Sequence, residues 1–241
     1  MKKYSGIALF LFTLGLMSAL SLLYWSNEKE RLAAAGGIAA GSNPVFCAPA
    51  DTPSLALTFD LDTGDDNVPA LLETLKKHQT SATFFITGKW LETHTQEAER
   101  IIAEGHELGN HTQNHPDMTS LNEKDQTQEL MVLHNEIYRL SGTAMRLFRP
   151  PYGSFDNSVI QNARKNGYTA VNWNIDSQDW KDYSADDIVT AVCQNENLQN
   201  GSIILFHGGT RYTSEALGTV IARLKESGYQ FATVSQLINS Q

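Results

Sequence analysis

From Leu55 onward the hydrophobic pattern keeps switching between two periods. Short runs rich in β-branched and aromatic residues alternate with longer stretches whose apolar residues fall three and four apart. The first kind predicts strands at Leu55–Phe59, Ala82–Ile86, Glu107–Gly109, Leu147–Phe148, Thr169–Trp173, Ser202–Phe206 and Gln230–Val234. The second predicts helices at Val68–His78, Glu97–Glu104, Glu123–Leu140, Ser158–Asn166, Ala185–Cys193 and Glu215–Ser227. Gly105, Gly142, Gly167 and Gly228 each follow a helical stretch, where a left-handed terminal residue is expected. Strands separated by helices cannot pair as tight hairpins and instead favour a parallel sheet. The number of β-α units suits an α/β barrel or a partial one.

The remainder of the 241 residues is organised around that body. Lys2 and Lys3 precede an uncharged run from Tyr4 to Ser26, near the ~20 residues that cross a bilayer as a helix. Residues 1–26 are therefore expected to be a membrane anchor, or else a signal segment cleaved near the small-residue clusters at Ala33–Gly37 or Ala39–Gly41. The basic start would stay inside, which places the rest beyond the cytoplasmic membrane, or in the periplasm or medium after cleavage. Residues 27–53, rich in Ala, Gly, Ser and Pro, suit a spacer, and residues 54–241 a single catalytic domain. In an oxidising compartment the only cysteines, Cys47 and Cys193, invite a disulfide. A formal charge of -9 argues against a nucleic-acid partner, which would need a basic surface.

Barrel enzymes carry their chemistry at the C-terminal ends of strands. Here Asp60 and Asp62 follow the first strand, Asn110 and His111 the third and Arg149 the fourth. Asp176 and Asp179 come after Asn172–Ile175, and His207 follows Ile203–Phe206. His111 and His115, four residues apart, could share one face of a helical turn and grip one cation together. A carboxylate from another strand end would complete the two-His, one-carboxylate set common in zinc hydrolases. No Gly-x-Ser-x-Gly elbow supports a serine hydrolase, and no glycine-rich phosphate loop is present.

Five ordered segments resemble the motifs of the polysaccharide deacetylases, carbohydrate esterase family 4. They are Thr58–Gly64, His111–Pro116, Arg149–Gly153, Asp176–Trp180 and Leu205–His207, and together they span nearly the whole domain. The resemblance implies a distorted (β/α) barrel with fewer than eight strands. It implies a divalent metal, Zn2+ before Co2+ or Ni2+, held by Asp62, His111 and His115. It makes Asp60 the general base and His207 the general acid, with Arg149 orienting Asp60 and Asp179 supporting the charged form of His207. The backbone N–H at Tyr152 would stabilise the oxyanion, while Tyr152 and Trp180 would wall the acetyl group or sugar.

The implied substrate is an N-acetylated glycan, with peptidoglycan the natural target at a membrane; chitin oligomers, acetylated poly-glucosamine and O-acetylated xylan are alternatives. One position departs from the family pattern. Its first motif usually carries two adjacent aspartates, and here Leu61 follows Asp60. Residues two apart on a strand point the same way, so Asp62 takes the ligand role; Asp65, Asp66 or a turn role for Asp62 are the alternatives. Leu61 also motivates a second reading, a carbohydrate-binding protein on the same fold that has lost turnover.

Overall fold

The computed structural model of the protein describes residues 43–49, 51–62, 67–181 and 183–239. The apolar run Tyr4–Ser26, most of the spacer, and Asp65 and Asp66 lie outside them. Among the described residues no helix is long and apolar enough to cross a membrane.

The first strand, β1 (Ser54–Leu61), is buried along almost its entire length, as a strand covered on both faces must be. Helix α1 (Val68–Lys77) presents Val68, Leu71, Leu72 and Leu75 inward at helical spacing. The chain then alternates through β2 (Thr83–Ile86), α2 (Gly88–Thr93), α3 (Thr95–Ala103), β3 (Glu107–Asn110), α4 (Glu123–Ser141), β4 (Leu147–Phe148), α5 (Asn157–Lys165) and β5 (Thr169–Ala170). It continues through β6 (Ile175–Asp176), α6 (Ala185–Cys193), β7 (Ile203–His207), α7 (Thr213–Glu226), β8 (Gln230–Phe231) and α8 (Val234–Asn239). The predicted helix-ending glycines all sit at positive φ, from 68° at Gly142 to 90° at Gly228.

Every strand pair is parallel, and seven strands run in the order β5-β4-β3-β2-β1-β7-β6. The two-residue β8 pairs off this path with the start of β1. The result is a half-barrel of seven strands wrapped by helices. Register stacks Phe59 against Phe84 and Phe206, ring centroids 5.0 and 5.5 Å apart, at the centre of the core. One residue further along, the same register sets Asp60 opposite His207.

Three segments depart from the pattern. The strand expected over Thr169–Trp173 stops at Ala170, because the chain there leaves one edge of the sheet and reaches the other at β6. The strand expected to reach Val234 ends at Phe231. Thr233 and Gln236 cap each other reciprocally, Thr233 Oγ1 accepting from Gln236 N–H (3.3 Å) and Gln236 Oε1 from Thr233 N–H (2.9 Å), so a helix starts instead. Residues 43–49, grouped with the spacer by composition, are built into the body. Val45 N–H donates to Ala170 O (2.8 Å), Asn172 N–H to Val45 O (2.8 Å) and Ala48 N–H to Gly201 O (2.9 Å). This lead-in bridges Val171, just past edge strand β5, and Ser202, at the start of β7.

The expected disulfide is absent. Both cysteines are free: Cys47 lies on the lead-in against Gln199 and Asn200, whereas Cys193 ends α6 and faces Val220 on α7.

Three backbone hydrogen bonds at about 0.5–1.5 kcal/mol each make the lead-in worth about 2–4 kcal/mol. A chain beginning at residue 50 is expected to melt roughly 4–16 °C below one beginning at residue 41 in a thermal scan. Equal melting temperatures would show the lead-in to be ornamental.

Candidate active site

The site is assembled around a guanidinium. Arg149 follows β4, is 0% exposed, and points across the mouth of the sheet to the end of β1. Its Nη1 donates to Asp60 Oδ1 (2.8 Å) and Thr58 Oγ1 (2.9 Å), and its Nη2 to the Asn172 carbonyl (3.0 Å). Phe85 stacks under the plane, 4.1 Å from ring centroid to Cζ. Asp60 is 8% exposed. Burial pushes its carboxyl upward, but Arg149, then His111 and His207, outweigh this and hold it below the usual range. It is an ionised carboxylate in a dry place, with Oδ2 turned towards His111 Nε2 at 3.7 Å.

His111 follows β3 and is buried. Its Nδ1 lies 2.8 Å from the Arg149 carbonyl, which can only accept, so Nδ1 carries the proton and Nε2 a lone pair. Burial lowers the imidazole to about 4, so it is neutral at physiological pH. His115 is brought alongside by an irregular loop rather than the helical turn expected from the spacing. Thr112 and His115 take positive φ of 73° and 59°. Asn110 Oδ1 accepts from Thr112 N–H (2.8 Å), and Thr112 Oγ1 from His115 N–H (2.9 Å). The two Nε2 atoms end 3.1 Å apart. Burial lowers His115 as well, against the opposing pull of Asp62.

Two neutral imidazole nitrogens 3.1 Å apart suit a divalent cation. The carboxylate stands apart from that pair. Asp62 Oδ2 stands 3.6 Å from Nδ1 of His115, the side away from the nitrogen pair. Among the described residues no cluster of three His, Cys, Asp or Glu forms a ready-made cage. Leu61 points the other way and is part of the buried core, as strand alternation requires. A carboxylate at that position on this backbone would face the core.

His207, at the end of β7, is the second acid-base group. Asp179, buried, accepts from its Nδ1–H and its backbone N–H, both at 2.8 Å, and from Thr213 Oγ1 at 2.6 Å. Burial alone would lower the imidazole, yet the Asp179 contact outweighs it and raises the pKa above the usual value. Tyr152 stands at the mouth, 70% exposed at φ 61°, its ring edge-on to His115 at 4.7 Å. Trp180 is 56% exposed, next to Asp179 in a short 3-10 turn.

The structure thus brings Asp60, Arg149, His111 and His115 into one cluster, with Asp62 beside His115 and Tyr152 at its rim. His207 lies near enough to Asp60 to help hold it ionised. Thr58 was missed, although it shares a strand face with Asp60 and alternation could have flagged it. Thr213 carried no signal, since it reaches Asp179 from 34 residues away.

Arg149→Met leaves Asp60 buried without its countercharge and is expected to cost about 3–5 kcal/mol in urea unfolding; a loss below about 1 kcal/mol would show the pair to be dispensable.

Residues 48–171 match the polysaccharide deacetylase family. The uncharacterized protein YlxY of Bacillus subtilis is 34% identical over 196 residues, which cover 81% of this chain and 60% of that protein. The peptidoglycan-N-acetylglucosamine deacetylase of Bacillus cereus is 34% identical over 199 residues, covering 81% of this chain and 72% of that enzyme. Among solved structures, BA3943 of Bacillus anthracis, described as a pseudoenzyme of the CE4 family, superposes with a TM-score of 0.78 at 31% identity over 83% of this chain and 70% of its own.

Proposed function

The chain belongs to the polysaccharide deacetylase family, and on that footing we propose that it removes N-acetyl groups from an envelope glycan, peptidoglycan before other N-acetylglucosamine polymers. One observation carries the reading: an ionised Asp60 locked by Arg149 stands beside a neutral imidazole pair, with an Asp179-backed His207 near it. A glycan binder needs none of these matched groups.

His111 and His115 would hold the divalent cation through Nε2, with Asp62 as the third ligand once its side chain turns. Such an ion would supply Lewis acidity towards the acetamide carbonyl and acidify a water. Asp60, ionised and fixed by Arg149, takes the proton of the attacking water. The Tyr152 backbone amide serves as a donor to the oxyanion of the tetrahedral intermediate. His207, kept protonated by Asp179, gives its proton to the departing nitrogen, so the C–N bond breaks to leave an amino sugar and acetate. The apolar run Tyr4–Ser26 would hold this domain on the outer side of the cytoplasmic membrane.

A second reading has a specific observation behind it. Asp62 sits on the Nδ1 side of His115, and a close structural neighbour is described as a pseudoenzyme. On that reading the chain binds glycan without turnover.

Protein comprising residues 41–241 and loaded with Zn2+ is expected to release acetate from N-acetylglucosamine oligomers or peptidoglycan. Metal-loaded protein inert across both would favour the binder. Asp60→Asn should keep the metal and lose turnover. Asp62→Ala should lose the metal altogether; a weakening of only about 10–100-fold would make Asp62 an orienting partner of His115 instead of a ligand.

The alkaline limb of the rate profile should report His207. Its raised pKa carries the protonated acid to higher pH than an ordinary imidazole, and activity falls as pH climbs past it. Asp179→Asn removes the cause of the rise, so that limb is expected to move to lower pH; an unmoved limb would assign the acid elsewhere.

A further inference from the structure

The short 3-10 turn Asp179–Lys181 faces two ways. Asp179 turns inward to hold His207, while Trp180 turns outward. The exposed aromatic surface continues past Trp180. Lys181 Nζ lies 5.1 Å from the Trp180 ring centroid and 5.8 Å from that of Tyr183, so one ammonium braces both rings. The same Nζ donates to Gln178 Oε1 at 3.1 Å. Gln178 is held at a positive φ of 59°, a conformation that is costly for a side-chain-bearing residue. Beyond Tyr183, which is 43% exposed, opens a cleft of about 320 Å³ lined by Gln178, Tyr183, Asp187, Thr190 and Ala191.

Exposed aromatic rings in series, with amide, hydroxyl and carboxylate groups at their edge, match the two faces of a pyranose. Its C–H face stacks on a ring and its hydroxyls reach the polar rim. The cleft volume falls within the range of small-ligand sites. Trp180 directly follows Asp179, which holds His207, and Lys181 links the Trp180 ring to that of Tyr183, so the strip is continuous with the turn that carries the acid's partner.

We propose that Tyr183 and the adjoining Gln178–Thr190 cleft form a distal sugar-binding position, taking a neutral N-acetylhexosamine unit of the same polymer whose acetyl group is removed at the site. The inference rests on the deacetylase reading. It makes the protein selective for chain length: short oligomers occupy only the catalytic position and Trp180, and longer ones gain the cleft.

The test compares Tyr183→Ser and Tyr183→Phe with the parent on the dimer and the hexamer of N-acetylglucosamine. For the serine variant, KM for the hexamer is expected to rise about five- to tenfold, a loss on the order of 1 kcal/mol, with kcat held and the dimer unchanged. Phenylalanine keeps the ring and should restore the parent KM. Equal effects on both lengths, or none on either, would overturn the proposal. A parent that releases no acetate fails the deacetylase reading instead. Calorimetric titration with the hexamer then decides the cleft separately: affinity lost in Tyr183→Ser and kept in Tyr183→Phe supports it, and unchanged affinity sinks it.

Discussion

A guanidinium shut off from water must find acceptors for its N–H groups inside the protein, and at Arg149 this requirement organises the site. Its partners come from separate stretches of chain: Thr58 and Asp60 from β1, and Asn172 from the crossing after β5. Its own carbonyl fixes the His111 tautomer. One residue thereby sets the charge of the base and the direction of a metal-binding lone pair. Neither would survive in a solvated loop, where water would compete for the same hydrogen bonds.

That arrangement depends on the barrel being held together where its sheet is open. The carbonyl that receives Arg149 Nη2 belongs to Asn172, whose N–H is donated to Val45. The lead-in therefore braces the acceptors of the guanidinium from behind. Composition alone places this segment with the spacer, since Asn43, Pro44, Ala48 and Pro49 look like linker residues. Its contribution is made through backbone groups, which composition does not report.

Much of the rest was legible. Two alternating periods point to the parallel sheet, and the strand-end rule picks out Asp60, His111, Arg149, Asp179 and His207. What escaped was local geometry set by tertiary context. His111 and His115 meet through two left-handed residues rather than a helical turn. The strand after Gly167 is cut short because its chain must cross to the other edge of the sheet. The departure at Leu61 has a physical basis: strand alternation sends that side chain into the core, and among the described residues Asp62 stands beside His115, on the Nδ1 side of its ring.

On the proposed reading a catalytic cation would sit at the imidazole pair. Anomalous diffraction at the zinc edge from Zn2+-loaded crystals tests it directly. One strong peak is expected within bonding distance, about 2.0–2.1 Å, of Nε2 of both His111 and His115, with a carboxylate oxygen of Asp62 drawn in beside it. No peak there, or a cation held on the Nδ1 side of His115, would contradict it.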